Sequence, residues 1–156
     1  LNDKKLYMEK NFIRVRSVKD IVISSILIIG GCILVTLPDS DSLNILGFFI
    51  IFTGLILGLF LKTAYKDEES GVIYRKKERF FEACQKEALS NVVAGKKCKA
   101  DLSAEDKGNG LRLDIYHSQK AGKAYIQLYE YIPYKYEPCT CMQEHDTEAV
   151  TELIGK

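Results

Sequence analysis

The stretch "IVISSILIIGGCILVTLPDSDSLNILGFFIIFTGLILGLFL", residues 21–61, decides the fold. It contains two runs without a charged residue, 21–37 and 43–61, separated by "PDSDS" at 38–42. A helix rises about 1.5 Å per residue, so the runs reach roughly 26 and 28 Å. The hydrocarbon core of a bilayer is about 30 Å thick, and each run is long enough to cross it. Buried core helices of a soluble protein are the alternative, but two such runs in succession, uncharged on every face, suit lipid better. A cleaved signal peptide fits poorly, because no small-x-small site follows the first run and a second run comes directly after.

The charges flanking these runs predict an orientation. Lys4, Lys5, Lys10, Arg14, Arg16 and Lys19 precede the first run, and Lys62, Lys66, Arg75, Lys76, Lys77 and Arg79 follow the second. The loop between them holds Asp39 and Asp41 and no basic residue. Basic flanks are retained on the cytoplasmic side. The expectation is therefore a two-span hairpin in a plasma membrane of the bacterial inner-membrane type, with both termini cytoplasmic and an external acidic loop.

Neither run carries an ionisable group, which argues against a self-contained ion or proton motor, since moving charge through a bilayer needs one. Small residues fall at helical spacing: Ser24 and Gly31 on the first run, and Gly47, Gly54 and Gly58 on the second. Small residues let helix backbones approach closely in lipid. These seams either close the hairpin on itself, which the short loop favours, or dock a neighbouring subunit.

The rest of the chain divides into a basic N-terminal segment, 1–20, and a polar region, 63–156. The N-terminal segment mixes Leu6, Tyr7, Phe12, Ile13 and Val15 with its charges. It reads either as an interfacial helix on anionic lipid or as an extension of the first span. After Gly71, the residues Ile73, Lys77, Phe80, Phe81, Cys84, Ala88, Leu89 and Val92 recur at three and four. That spacing predicts an amphipathic helix over 74–94, with Cys84 on its inner face and Gly95 as its cap. Leu111, Leu113 and Ile115 then alternate with polar neighbours, and "AYIQLYEYI" alternates again, which predicts two strands joined by a turn at "SQKAGK". A last helix is expected after Asp146 or Thr147, with Ala149, Val150, Leu153 and Ile154 facing inward. The fold class is thus a two-span α-helical transmembrane hairpin plus a small α+β cytoplasmic domain of helix–β-hairpin–helix order.

The second strand and its tail bring together Tyr125, Tyr129, Tyr131, Tyr134 and Tyr136. Tyrosine is favoured where a surface meets a partner, because its ring buries area while its hydroxyl stays bonded. These five residues are the candidate partner-binding face, or else one packed face of a sheet.

Chemistry is sparse. "PCTCMQEHD", residues 138–146, offers Cys139, Cys141 and His145 as weak metal ligands, with Cys98 as a conceivable fourth. The usual cysteine pair leaves two to four residues between ligands, and this one leaves one. A cytoplasmic location also disfavours a disulfide. No cofactor and no catalytic set is expected. From Lys66 onward fifteen basic residues meet sixteen acidic ones, which argues against nucleic acid as a partner. The basic cluster "RKKER" at 75–79 reads as a topology signal or a contact with anionic lipid.

The function expected from these features is that of a non-enzymatic accessory or assembly subunit of a membrane complex, or a self-assembling membrane protein, with lipid and a protein partner or further copies as its contacts. The alternative is a membrane-anchored cytoplasmic sensor that binds a small ligand through the tyrosine face. A third reading, an anchored enzyme using Cys139, Cys141 or His145, has the least behind it.

Overall fold

The computed structural model describes residues 10–38, 40–97, 100–103, 105 and 110–155. The element order is β1 (Phe12–Val15), α1 (Val18–Val35), α2 (Asp41–Phe60), β2 (Ala64–Asp67), β3 (Ile73–Phe81), α3 (Lys86–Val93), β4 (Leu111–Ser118), β5 (Lys123–Ile132), β6 (Lys135–Pro138), β7 (Gln143–Asp146) and α4 (Thr151–Ile154). The chain forms two compact units, Arg14–Ala64 and Leu1–Ile13 with Tyr65–Lys156.

The first unit is a helical hairpin. Both helices are long and apolar enough to cross a membrane. Ser17 starts α1 through a capping box: its hydroxyl accepts from Asp20 N–H (3.2 Å), and the Asp20 carboxylate accepts from Ser17 N–H (2.8 Å). Two otherwise orphaned amide donors at the helix start are satisfied in this way. Asp20 also accepts from Thr63 N–H and Oγ1–H, at 2.9 and 2.7 Å, which ties the start of α1 to the chain just beyond α2. At the other end the Asn44 amide, oriented with its nitrogen toward α1, donates to the carbonyls of Leu34, Val35 and Leu37 at 2.9, 3.3 and 3.2 Å.

Between these ends the two backbones nearly touch. A Cβ placed on Gly31 would stand 2.8 Å from Gly47 O, and one placed on Gly47 would stand 2.8 Å from Gly31 O. Gly54 faces Ile28 and Leu27, Gly58 faces the Ser24 hydroxyl, and Ser24 Oγ–H donates to Gly54 O at 3.0 Å. With the small residues turned inward, the large ones point out: Ile26, Ile29, Ile33, Ile45, Phe48, Phe49, Phe52 and Phe60 are all exposed.

The second unit is a sheet of seven strands in the order β1-β2-β3-β4-β5-β6, with β7 also paired to β5. Pairing is antiparallel from β3 through β5, with Lys77 opposite Ile115 and Ile115 opposite Ile126. One face is a conventional core. Phe81, Leu111, Leu113, Ile115, Ala124, Ile126 and Leu128 pack there against Leu89 and Val93 of α3 and Val150 and Leu153 near α4.

Helix–hairpin–helix order is not what the chain adopts. The expected helix over 74–94 is strand β3 up to Phe81, a 3-10 turn at Ala83–Gln85, and helix only from Lys86. Cys84 is therefore exposed in that turn rather than turned inward. The reason lies in β3 itself, where Lys77 and Arg79 point to the core face and break the alternation. Arg79, only 8 % exposed, sends its guanidinium to the carbonyls of Leu102 and Leu153 and to Glu105, while Lys77 donates to Ile154 O. Long cationic side chains can bury their stems and still satisfy their heads. "RKKER" is thus a strand that clamps the C-terminal helix.

Two other expectations change. The segment before α1 contributes strand β1 to the sheet and is neither an interfacial helix nor an extension of α1 where it is described; residues 1–9 lie outside the described residues. The last helix is shorter than expected, with Asp146 ending β7 and Ala149 exposed.

Candidate interaction surfaces

Away from its aliphatic core, the sheet turns an aromatic face to β1 and β2. The Phe12 ring of β1 stacks on Tyr116 of β4 at 4.3 Å and 5°. Phe12 also meets Tyr74 and Tyr125 edge-on, at 5.5 and 6.0 Å. On a flat sheet three strand spacings, about 14 Å, would separate β1 from β4. The sheet therefore curls, and β1 folds over the face of β3, β4 and β5. Tyr65 closes the side of this nest against Tyr116 at 5.3 Å. Burial pushes the Tyr116 hydroxyl up to about 12.

Polar groups rim the nest. Lys10 Nζ donates to Asp67 Oδ2 at 2.8 Å and lies 4.7 Å from the Tyr125 ring centroid. Asp67 is fully buried; burial alone would raise its carboxyl, but bonds from Lys10, Ser70 Oγ and Glu69 N–H outweigh that and hold it below the usual range. Further along the same face Asp114, 1 % exposed, sits 3.1 Å from Lys76 Nζ and 2.9 Å from Arg112 Nε. Here burial wins, pushing the Asp114 carboxyl up against the pull of both cations. The Arg112 guanidinium lies over two rings, Tyr129 at 4.6 Å and Tyr136 at 4.9 Å.

The five tyrosines singled out from the sequence separate into three settings. Tyr125 is buried in the nest, with its hydroxyl donating to Glu144 Oε2 at 2.7 Å. Tyr129 is half-buried under Arg112 and donates to Gln127 Oε1 at 2.9 Å. Tyr131 and Tyr136 pack edge-on at 5.3 Å beside the β5–β6 turn, and Tyr134, at its tip, is 98 % exposed. Its backbone has φ 74, a region that L residues other than Asn and Asp seldom enter. The Tyr134 N–H donates to the Tyr131 hydroxyl at 3.2 Å, which fixes the turn.

"PCTCMQEHD" is the outer edge of the sheet. β6 pairs with β5 at Tyr129 opposite Pro138, and β7 pairs at Ile126 opposite Gln143. Two residues of β5 thus face four, 139–142, and the excess of two makes a bulge. Cys139 N–H and Sγ–H both donate to Leu128 O, at 3.0 and 3.4 Å, and Thr140 Oγ1 accepts from Leu128 N–H at 3.0 Å. Burial pushes the Cys139 thiol up, away from the thiolate that a metal or a nucleophile needs. His145 Nε2 lies 2.7 Å from Val93 O, binding β7 to the end of α3, and its ring sits beside Gly95 at φ +77. Among the described residues, no three His, Cys, Asp or Glu side chains form a metal-holding group. Cys98 lies outside the described residues.

No protein-family model, curated protein or solved structure matches the chain.

The Lys10–Asp67 pair, the Arg112–Asp114–Lys76 group and the role of Phe12 are not visible in the sequence alone. Arg112 and Asp114 do stand two apart on a recognisable strand, so a shared face was the available signal. Lys10 and Asp67 are 57 positions apart and nothing local connects them.

Proposed function

We propose that the chain is a two-span membrane protein with both termini on the cytoplasmic side, whose sheet unit serves as a non-enzymatic assembly module of a membrane complex. The observation that carries this reading is the inside-out packing of α1 and α2. Gly31, Gly47, Gly54, Gly58 and Ser24 are spent on each other, and the outer surface left is rich in Ile, Leu and Phe. Apolar surface on this scale requires cover by lipid or by protein. The phenylalanines gather on α2, where Ile45, Phe48, Phe49, Phe52 and Leu55 line a shallow groove suited to a neighbouring apolar helix.

The orientation rests on Lys10, Arg14, Arg16, Lys19, Lys62 and Lys66 flanking the helices, against the acidic loop at 38–42. The asymmetry holds even when Arg75, Lys76, Lys77 and Arg79, which lie in β3, are left out. Tyr125 is consumed by its own nest, so a small-ligand sensor loses part of the face it would use.

Native mass spectrometry after extraction from the source membrane in a mild detergent tests the reading. A stoichiometric complex with another protein, or a defined homo-oligomer, is the expected result. A monomer that carries no partner even when the groove is intact sinks the assembly role.

A further inference from the structure

We infer that a polar notch between α1 and α2 binds the ethanolamine headgroup of a phospholipid, with Arg16 on its phosphate and Asp20 facing its ammonium. The site lies wholly within the helical hairpin, Arg14–Ala64. It rests on the two-span reading above and not on the assembly role.

The notch is a partly enclosed cavity of about 90 Å³. Arg16, Asp20, Ser24 and Ser25 form its polar side, and Ile21, Leu57 and Gly58 its apolar side. It opens because position 58 has no side chain, since a Cβ there would stand 2.6 Å from Ser24 Oγ. These residues belong to the start of α1 and the end of α2, the level at which two spans would leave the hydrocarbon for the headgroups. Ile21 is 55 % exposed beside the opening, so an acyl chain has apolar surface to follow outward.

Two opposite charges meet this one cavity, and each is held by something other than its counterpart. Asp20 is 4 % exposed. Its carboxylate offers about four acceptor sites. Ser17 N–H and Thr63 N–H occupy Oδ2, and Thr63 Oγ1–H occupies one place on Oδ1. One acceptor site of a buried carboxylate is thus left over, and a charged donor is the strongest group that can fill it. Arg16 spends one N–H on Leu59 O at 3.4 Å, a long bond, while a guanidinium carries five donors in a fork that matches phosphate. A ligand that satisfies both ends is a zwitterion.

Size selects among zwitterions. A cavity of about 150 Å³ holds a benzene, with six heavy atoms, so this one has room for roughly three or four. The nitrogen and two carbons of ethanolamine meet that limit. Choline adds three methyl groups and has no N–H to give to Asp20 Oδ1. A glycerol headgroup brings no cation, and a serine headgroup sets a second carboxylate against Asp20.

Native mass spectrometry of the full chain in a mild detergent reads the site. The chain is given equimolar phosphatidylethanolamine, phosphatidylglycerol and phosphatidylcholine with matched acyl chains. One phosphatidylethanolamine should be retained about fivefold over either competitor, the equivalent of one net hydrogen bond. Arg16→Gln should remove that preference, while Lys19→Gln, which deletes the same charge outside the lining, should keep it. Ser25→Leu, filling the notch from its exposed side, should abolish retention with the helical circular dichroism of the wild type. Equal or greater retention of phosphatidylglycerol reduces the contact to attraction by basic flanks and overturns the site. Equal retention of phosphatidylcholine shows that no N–H reaches Asp20 and overturns it too, as does retention of none of the three. A chain that stays monodisperse in water without detergent sinks the two-span reading itself, and the site with it.

Discussion

Gly31 and Gly47 meet where neither can accept a single carbon atom, whereas Asp67, Arg79 and Asp114 of the sheet unit are buried with their charges. The two units solve the same problem by opposite means. In the hairpin, read as two membrane spans, the surrounding solvent would itself be apolar, so burying more apolar surface would gain little and close backbone contact would decide the packing. In the sheet unit burial out of water drives folding, and Asp67, Arg79 and Asp114 enter with oppositely charged or polar groups against them. Side-chain absence holds one unit together, and side-chain reach holds the other.

Truncating the aliphatic core should hit the sheet unit hardest. Phe81→Ala should cost about 3–5 kcal/mol by chemical denaturation followed through tyrosine circular dichroism. The α1–α2 helicity should persist through that transition; joint loss would show that the units fold as one. Enlarging the hairpin seam comes next. Gly47→Leu should disrupt α1–α2 packing by about 3 kcal/mol, while Gly30→Leu, with nothing within 4 Å of its added carbon, should be silent. Crosslinking between cysteines placed at the two ends of the hairpin would read both, and equal damage from the two would break the contrast.

How far these units were legible follows from the same difference. α1 and α2 are apolar on every face, so their signal is a long absence of charge that no local accident can hide. The sheet unit imposes demands that local pattern does not carry. In β3, Ile73, Lys77 and Phe80–Phe81 mimic a helical stripe because cations occupy core-facing positions that their long stems can serve. β1 and β2 have four residues each, and β7 is wholly polar, so no alternation marks them. β4 and β5 were legible because they lie centrally and each buries one apolar face. Of the tyrosines, only the curl of the sheet tells Tyr125 from Tyr134, and curl is a property of strand order.

Smaller effects are expected at single polar contacts of the sheet unit. Lys10→Met should cost about 2 kcal/mol at neutral pH by leaving Asp67 buried without its cation. Because the Asp67 carboxyl is depressed in the fold, its contribution is present above the ordinary carboxylate range and lost as pH falls through the folded value. The gap in melting temperature between wild type and variant should therefore close in acid; a gap constant down to pH 2 would exclude the ion pair. His145→Ala should cost about 1 kcal/mol through the lost bond to Val93 O, with the same melting temperature with and without chelator. A chelator-sensitive wild type would instead restore a metal to the Cys139–Cys141–His145 group. Tyr134→Gly should stabilise the turn by about 0.5 kcal/mol, since glycine tolerates positive φ but widens the unfolded ensemble. A destabilised variant would show that the ring supports the fold and is not held out for contact.

The two-residue bulge at 139–142 has a consequence for how the chain meets its own copies. β5, ten residues long, would otherwise offer a straight row of unpaired donors and acceptors to any other strand. β6 and β7 cover it as two four-residue pieces out of register with each other, and the outermost edge they leave is broken in the middle and carries Pro138. Such an edge is a poor template for a second copy. A chain with two exposed apolar helices already risks clumping through them until they are covered. The bulge denies it a second route to aggregation.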